Sequence, residues 1–441
     1  MAGAGLGIAF GGSSFFVREQ PVFRIMATSM KSAPLQIPSK KVVLGCGTVV
    51  IDYLASVSAF PQPDDKIRSI DFQFQGGGNV GNSLTGAARL GLKPVLISKV
   101  ADDALGLRIL EELKKDGVDT SHVVVAKGGV SPFTYIIIDK ERLTRTCIHT
   151  PGHPPMLPTE IDTATLSSVL QGTDLVFFDC RLTDTAVKIA KMAAELKLPI
   201  LVDAEKKREF LDELLVYCDY MVASSRFPEA WTNSKNLAEA LLCVASKLPK
   251  LKFIIVTLGA EGCVMLERST TTDHGETMDV NQTLDSLRQQ VSAVKSPQPR
   301  VVSSKMGRLV PSTGSRIAIF GRLIVGTAQE VPAAQLADTT GAGDAFVGAV
   351  MYCKLACSSM RGIHCGTDAS FCSDSGRCEL PGCWSSCRSA KARRCKDPPH
   401  ATLTGGRAFE SWGRHHKDFR VTLCFILLRL GFLRSLWQRL Q

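Results

Sequence analysis

The sequence has no run of the roughly 18–20 apolar residues that a membrane-crossing helix needs. Its apolar stretch at 421–440 is interrupted by Arg429, Arg434 and Arg439 and suits a membrane surface at most. It lacks G-x-x-x-x-G-K-[ST], which excludes a P-loop for holding nucleotide phosphates. Its 15 cysteines include no C-x-x-C pair, so the usual zinc-module spacing is missing. No internal repeat is visible, and no clear secretory signal that would favour a disulfide framework. Surplus charge is also scarce in most of the chain. From residue 356 onward 14 Lys and Arg face 6 Asp and Glu, so +8 of the net +10 belongs to the tail. The near-neutral body does not call for a nucleic-acid partner.

A chain of 441 residues, 45% hydrophobic, can bury a large core. Strand-like and helix-like segments alternate from residue 41 to about 257, with apolar strands buried on both faces; this predicts a parallel α/β sheet covered by helices. Residues 41–50 read as one buried strand, and 82–90 as an Ala- and Leu-rich helix opened by a glycine run. Wetter strands near 66–74 and 133–149 do not suit the central sheet and predict a small second sheet. Residues 269–315 are polar, carry Pro297, Pro299 and Pro311, and read as a long insertion or flexible loop. Six cysteines lie singly among apolar segments before residue 353, as expected of reduced buried thiols. Nine more lie between Cys353 and Cys424.

Residues 338–346, DTTGAGDAF, carry the strongest functional signal. Gly341, Ala342 and Gly343 are small enough to let backbone N–H groups approach an anion, and the apolar run at 347–352 can form a helix behind them. A helix N-terminus supplies unpaired donors and a positive dipole end. Asp344, in the first turn, is placed to take a hydroxyl proton. An anion cradle beside a general base is the minimum needed to move a phosphoryl group onto an alcohol. Taken alone, the segment also fits a plain turn followed by an ordinary helix start.

Two further stretches, QGGGNVGNSLTGAARLG at 75–91 and IIVTLGAEG at 254–262, stand before it in the chain. In this order and spacing the three resemble the ribokinase-like (PfkB-type) sugar and nucleoside kinases, over residues 41–352. The resemblance implies a ribokinase-like α/β fold: a central, mainly parallel sheet flanked by helices, with a small β-sheet lid near 52–78 and 130–150. It implies an ATP-dependent phosphotransferase acting on a hydroxyl of a sugar or sugar-like substrate, with Mg²⁺ and a monovalent cation such as K⁺. Asp344 would be the base, with Gly341, Ala342 and Gly343 as the anion cradle. Asp52, Gly77, Gly78 and Asn82 would bind the acceptor; Thr257, Gly259 and Gly262 would approach ATP. Asp338 and Thr340 resemble the monovalent-cation site. The family's Asn-x-x-Glu is incomplete here, because Ser224–Glu229 reads SSRFPE and offers Glu229 alone, acting through water or leaving Mg²⁺ to the ATP oxygens. The substrate is expected to be a small sugar or polyol, with no nucleic acid and with a homodimer formed through the lid.

Each of these residues also has a plainer reading: Asp52 as a turn cap, Asn82 as a helix cap, Gly259 and Gly262 as turn glycines, Asp338 as a turn residue. Gly76–Gly81 satisfies G-x-G-x-x-G with Asp102 and Asp103 about twenty residues on, so a dinucleotide-binding oxidoreductase is the rival from another class. The charged, alternating segment before it is unlike the buried first strand that fold needs. The resemblance ends at the tail, 353–441, which is rich in Ser, Cys and Arg and lacks amphipathic periodicity. Losing one C-terminal helix with about five core side chains removes ~10 kcal/mol of burial, against a typical net stability of ~5–15 kcal/mol. A weakly active or inactive kinase-like protein is therefore the alternative. Residues 1–40 read as a disordered or transit-like leader, giving a cytoplasmic protein or, with a working transit segment, a plastid or other organellar one.

Overall fold

A computed structural model describes residues 41–142, 144–269, 275–293, 299–312, 317–328 and 340–359. The leader at 1–40, Asp338 and the tail beyond 359 lie outside the described residues. The chain begins with β1 (Val42–Cys46), β2 (Val50–Val57), β3 (Asp71–Gly77), α1 (Asn79–Arg89), β4 (Lys93–Ala101), α2 (Ala104–Lys115) and β5 (Asp119–Ala126). It continues with β6 (Phe133–Asp139), β7 (Thr144–Thr150), α3 (Thr163–Gln171), β8 (Leu175–Phe178), α4 (Thr183–Glu195), β9 (Ile200–Ala204), α5 (Leu211–Leu215) and β10 (Tyr220–Ser224). Then come α6 (Phe227–Thr232), α7 (Leu237–Lys247), β11 (Phe253–Thr257), β12 (Cys263–Arg268), β13 (Thr277–Asp279) and α8 (Val280–Ser292). The last elements are β14 (Val301–Ser303), β15 (Gly307–Val310), β16 (Ile319–Gly326) and α9 (Ala342–Ser359).

Among the described residues the strands form a 12-stranded sheet and a separate 4-stranded one. The large sheet runs β13-β15-β16-β12-β11-β10-β9-β8-β1-β4-β5, with β14 on β16. From β11 to β5 every pairing is parallel; β12, β14 and β16 add antiparallel ladders at one side. Its strands read as unbroken apolar runs because helices cover both faces. One face packs α3 to α8 around residues such as Phe178, Leu241 and Leu284; the other packs α1, α2 and α9 around Leu84, Phe177 and Met351. The small sheet, β3-β2-β6-β7, is the expected lid.

Three expectations need correction. The apolar run at 41–50 is not one strand: it breaks at Gly47–Val49, and Asp52 lies inside lid strand β2 rather than at the end of β1. The 269–315 region is no loop where it is described, since α8 and three strands extend the main sheet there. In α8 the stripe Val280, Leu284, Leu287 and Val291 is buried, a helical spacing diluted by polar neighbours. Finally, the tail boundary at 353 falls inside α9, whose Cys353, Leu355 and Ala356 belong to the core.

Helix α9 lies close against α1 because Gly348 has no side chain. A Cβ there would stand 3.0 Å from the Ser83 carbonyl oxygen and 3.2 Å from the Ala87 nitrogen, both backbone. Gly348→Val should push the helices apart at a cost of about 3 kcal/mol, lowering the melting temperature by roughly 6–12 °C. A thermal melt unchanged from wild type would mean that this contact has slack.

Candidate active site

The Gly-rich stretch after β3 turns the chain from lid to core. Gly78 follows the strand with φ +89°, and a Cβ on it would strike the Thr48 carbonyl oxygen at 2.3 Å. Only glycine permits this crossing of the two lid connections. Gly77 serves a different purpose: a Cβ would stand 2.1 Å from the Asp52 carboxylate, so its absence lets Asp52 lie flat against β3. Helix α1 has no side-chain cap of its own; the Asp179 carboxylate, at the end of β8, accepts from Val80 N at 3.2 Å instead. The same carboxylate accepts from Thr48 N and Arg181 N, both at 2.9 Å, tying both lid connections to the sheet. Gly47 makes room for it. Burial lifts the Asp179 pKa to about 6, held from rising further by these N–H groups and by Arg181.

The turn before α9 brings the signature onto this helix. Gly341 takes φ +77° and its carbonyl accepts the first helical bond, from Ala345 N at 2.9 Å. The N–H groups of the first turn are therefore left to a ligand or solvent. Among the described residues nothing lies within 4 Å of where a Gly343 Cβ would stand, and Gly341 has only the Asn82 amide at 3.8 Å. This open, donor-lined turn fits a phosphate group. Asn82 Nδ2 donates to Asp344 Oδ2 at 2.8 Å, joining the expected acceptor helix to the expected base. Burial raises the Asp344 pKa to about 7, opposed by the Asn82 hydrogen bond and reinforced by Glu205 and Asp179. The residue as a whole is half-buried, but burial of its carboxyl is what sets the titration.

A cavity of about 500 Å³ lies between lid and core, lined by Asp52, Gly77 and Asn82 together with Thr340 and Gly341. Asp52 is buried at its wall. Glu112, which the sequence reading missed, also lines it and accepts from Gly76 N at 2.6 Å. The residues expected to meet ATP are not part of this cavity. Thr257 ends β11 and Glu229 opens α6 after β10, at the same strand edge as the ends of β8 and β9. Gly259 has φ +61° and, among the described residues, nothing within 4 Å of where its Cβ would stand, as a backbone that approaches a ligand requires. Gly262, at φ +92°, abuts Gly326 and is already demanded by the β11–β12 turn. Among the described residues no group of three or more His, Cys, Asp or Glu is placed to hold a metal ion.

The sequence reading also missed a charged cluster at the ends of β8 and β9. Asp203 is buried; burial, Asp344, Glu205 and Asp179 push its pKa well above the carboxylate range. Arg181 Nη2 donates to Glu205 Oε2 at 2.6 Å and reaches Asn79 Oδ1 at 3.4 Å. The signal that finds these residues is positional: single charges immediately after buried parallel strands, where open α/β sheets bind ligands. The rival dinucleotide reading fails on the same ground. The strand before Gly76 is the exposed lid strand β3, and Asp103 and Asp102 hold turns by accepting from Gly106 N at 2.7 Å and Gly128 N at 2.8 Å.

Residues 40–286 match the model of the pfkB family carbohydrate kinases. Mouse ketohexokinase is 23% identical over 257 residues, 56% of this chain and 85% of that protein. Ribokinase of Haemophilus influenzae is 20% identical over 227 residues, 51% of this chain and 74% of that one. The structure of Arabidopsis thaliana ribokinase complexed with ribose and ATP shares the fold, with a TM-score of 0.50 at 16% identity over 72% of this chain and 86% of its own. With more than half of its length matched by the family model, this chain belongs to the pfkB family of carbohydrate kinases.

Proposed function

We propose that the chain is an ATP-dependent kinase that phosphorylates a hydroxyl of a sugar or related polyol, with Asp344 as the base. The observation that carries this reading is the 2.8 Å bond from Asn82 to Asp344, which makes the acceptor wall and the donor turn one site. Asp52 and Asn82 hold acceptor hydroxyls, a pairing that suits vicinal diols. The Asp344 carboxylate takes the proton of the reacting hydroxyl. The N–H groups of Gly341, Ala342 and Gly343 hold the negative charge that builds up there. ATP would supply the phosphoryl group and Mg²⁺ would shield its oxygens; Thr257, Gly259 and Gly262 would hold the nucleotide, and Glu229 would hold the metal through water or leave it to the ATP oxygens. Asp338 and Thr340 would hold K⁺ and steady the turn. ADP formation across pentoses, hexoses and nucleosides, with Asp344→Asn as control, tests the reading. Turnover that survives the substitution, or none with any acceptor, favours the weakly active alternative.

The lid's outer face supports a homodimer. Tyr53 stacks on Phe72 and Phe74 and packs on Phe133 and Tyr135, yet Phe72 is 56% and Tyr135 50% exposed. A contiguous aromatic sheet face left this bare is costly in water. A second copy of the lid is the proposed cover. Phe72→Glu with Tyr135→Glu should convert a sedimenting dimer to monomer; a wild-type chain that sediments as a monomer at micromolar concentration would remove the idea.

A further inference from the structure

Glu112 lines the acceptor cavity but has no part in the chemistry above. We infer that it is a positioning residue for the acceptor: with Arg108 it fastens lid strand β3 to α2 and so fixes the wall on which Asp52 meets the substrate. The task of that wall rests on the kinase reading; the fastening itself does not.

Strand β3 needs such a hold. It is an edge strand of the small sheet, and Asp71, Phe72, Gln73 and Phe74 are all exposed. Burial therefore does little to keep it in place, and its outer edge has no strand to pair with. Helix α2, by contrast, is set into the core. Its Ile109 and Leu113 are buried, and its cap Asp103 accepts from Gly106 N at 2.7 Å and Ser131 N at 2.8 Å. From this fixed helix two side chains one turn apart reach the strand. Glu112 Oε2 accepts from Gly76 N at 2.6 Å, and the Arg108 guanidinium lies 3.8 Å from the centre of the Phe74 ring. Arg108 Nε also donates to Glu112 Oε1 at 2.8 Å. Each carboxylate oxygen is thus engaged by a donor, which aims the group at the strand.

The acceptor wall is what this hold controls. Gly76 precedes Gly77, whose missing Cβ lets the Asp52 carboxylate lie against β3. Beyond Gly78, Val80 N donates to Asp179 at 3.2 Å. Glu112 and Asp179 therefore bracket Gly77 and Gly78, one from α2 and one from the end of β8. Asp179 alone would leave the strand side of this turn free to move. Released at Gly76, the strand end would carry off the surface that sets Asp52 at the cavity. The bond in question has a charged acceptor, the stronger kind.

Hydrogen exchange on the full chain without ligand reads the fastening, and calorimetry with D-ribose, D-fructose and adenosine reads its consequence. Glu112→Ala should speed exchange in peptides spanning β3 and Gly78 by roughly tenfold or more, and weaken at least one of the three probes by a similar factor. ATP affinity should stay within about twofold, because Thr257, Gly259 and Gly262 lie outside this cavity. Arg108 does not line the cavity, so Arg108→Gln separates positioning from contact. It should move both readouts in the same direction by about two- to fivefold. Glu112→Gln keeps an oxygen that can accept from Gly76 N and should recover part of both losses. The inference is overturned if exchange stays the same, or if it quickens while the probes bind as before. A fall in affinity with unaltered exchange would make Glu112 a direct contact with the acceptor instead. A wild-type chain that binds none of the three probes removes the role as well. ADP formation that persists in Asp344→Asn would sink Asp344 as the base while leaving the exchange and binding results standing.

Discussion

Asp344→Asn should lower kcat by roughly 10²–10⁴, the usual contribution of a positioned general base. The amide can still accept the hydrogen bond from Asn82, so the helix contact that now spans 2.8 Å is retained. Only the capacity to take a proton is lost. The wild-type protein should also show an acid limb: with the Asp344 pKa raised to about 7, kcat/KM rises as pH passes upward through that value. Neighbouring Asp179, raised to about 6, titrates beside it, so the limb reports the pair rather than one residue.

Stability should move the other way. A carboxyl whose folded pKa is raised binds its proton more tightly in the native state than in the unfolded chain. The stability this gives is complete below the unfolded value of 3.8 and is lost as pH rises through about 7. Above pH 7 the wild type therefore carries the cost of a buried charge, up to about 4 kcal/mol, which Asp344→Asn removes. At pH 8 the variant should melt at a higher temperature while being nearly inactive, and the gain should vanish near pH 4. An inactive variant that also melts lower at pH 8 would point to a structural aspartate instead.

How much of this could be read from the chain depended on whether the signal was local. The parallel strands β4, β8, β9, β10 and β11 stood out because each is a short apolar run bounded by turn residues, and the sheet buries both of their faces. The lid strands were legible as wetter segments, since Asp71–Phe74 is exposed and Asp52–Ser56 is not. The division between β1 and β2 was hidden, because both are β-branched and only the turn at Gly47–Val49 separates them. In α8 four apolar residues in thirteen were too few to outweigh its polar composition, although packing against β16 needs no more. Of the site, Asp344, Asn82, Asp52 and the glycines were visible through contiguous motifs. Asp179, Arg181, Asp203 and Glu205 were not, because they meet only after strand order β1-β8-β9 lays distant segments side by side.

The second large effect is expected at Gly78. Gly78→Ala must place a Cβ 2.3 Å from the Thr48 carbonyl oxygen and 2.8 Å from Val49 Cα, all rigid backbone, at a φ of +89° that L side chains rarely adopt. Strain and overlap together should cost roughly 2–6 kcal/mol, lowering the melting temperature by roughly 5–20 °C. Gly91→Ala separates the two causes. Its φ of +101° is as demanding, but among the described residues nothing lies within 4 Å of the new Cβ, so it carries the strain alone. The excess loss in Gly78→Ala over Gly91→Ala measures the overlap. That overlap acts where Asp179 binds both lid connections, so relief by opening the lid shifts the start of α1 and, with it, Asn82. Acceptor KM should then rise in Gly78→Ala and stay unchanged in Gly91→Ala. Equal melting losses in the two variants would show that the crossing yields easily, and that the lid does not hinge on this contact.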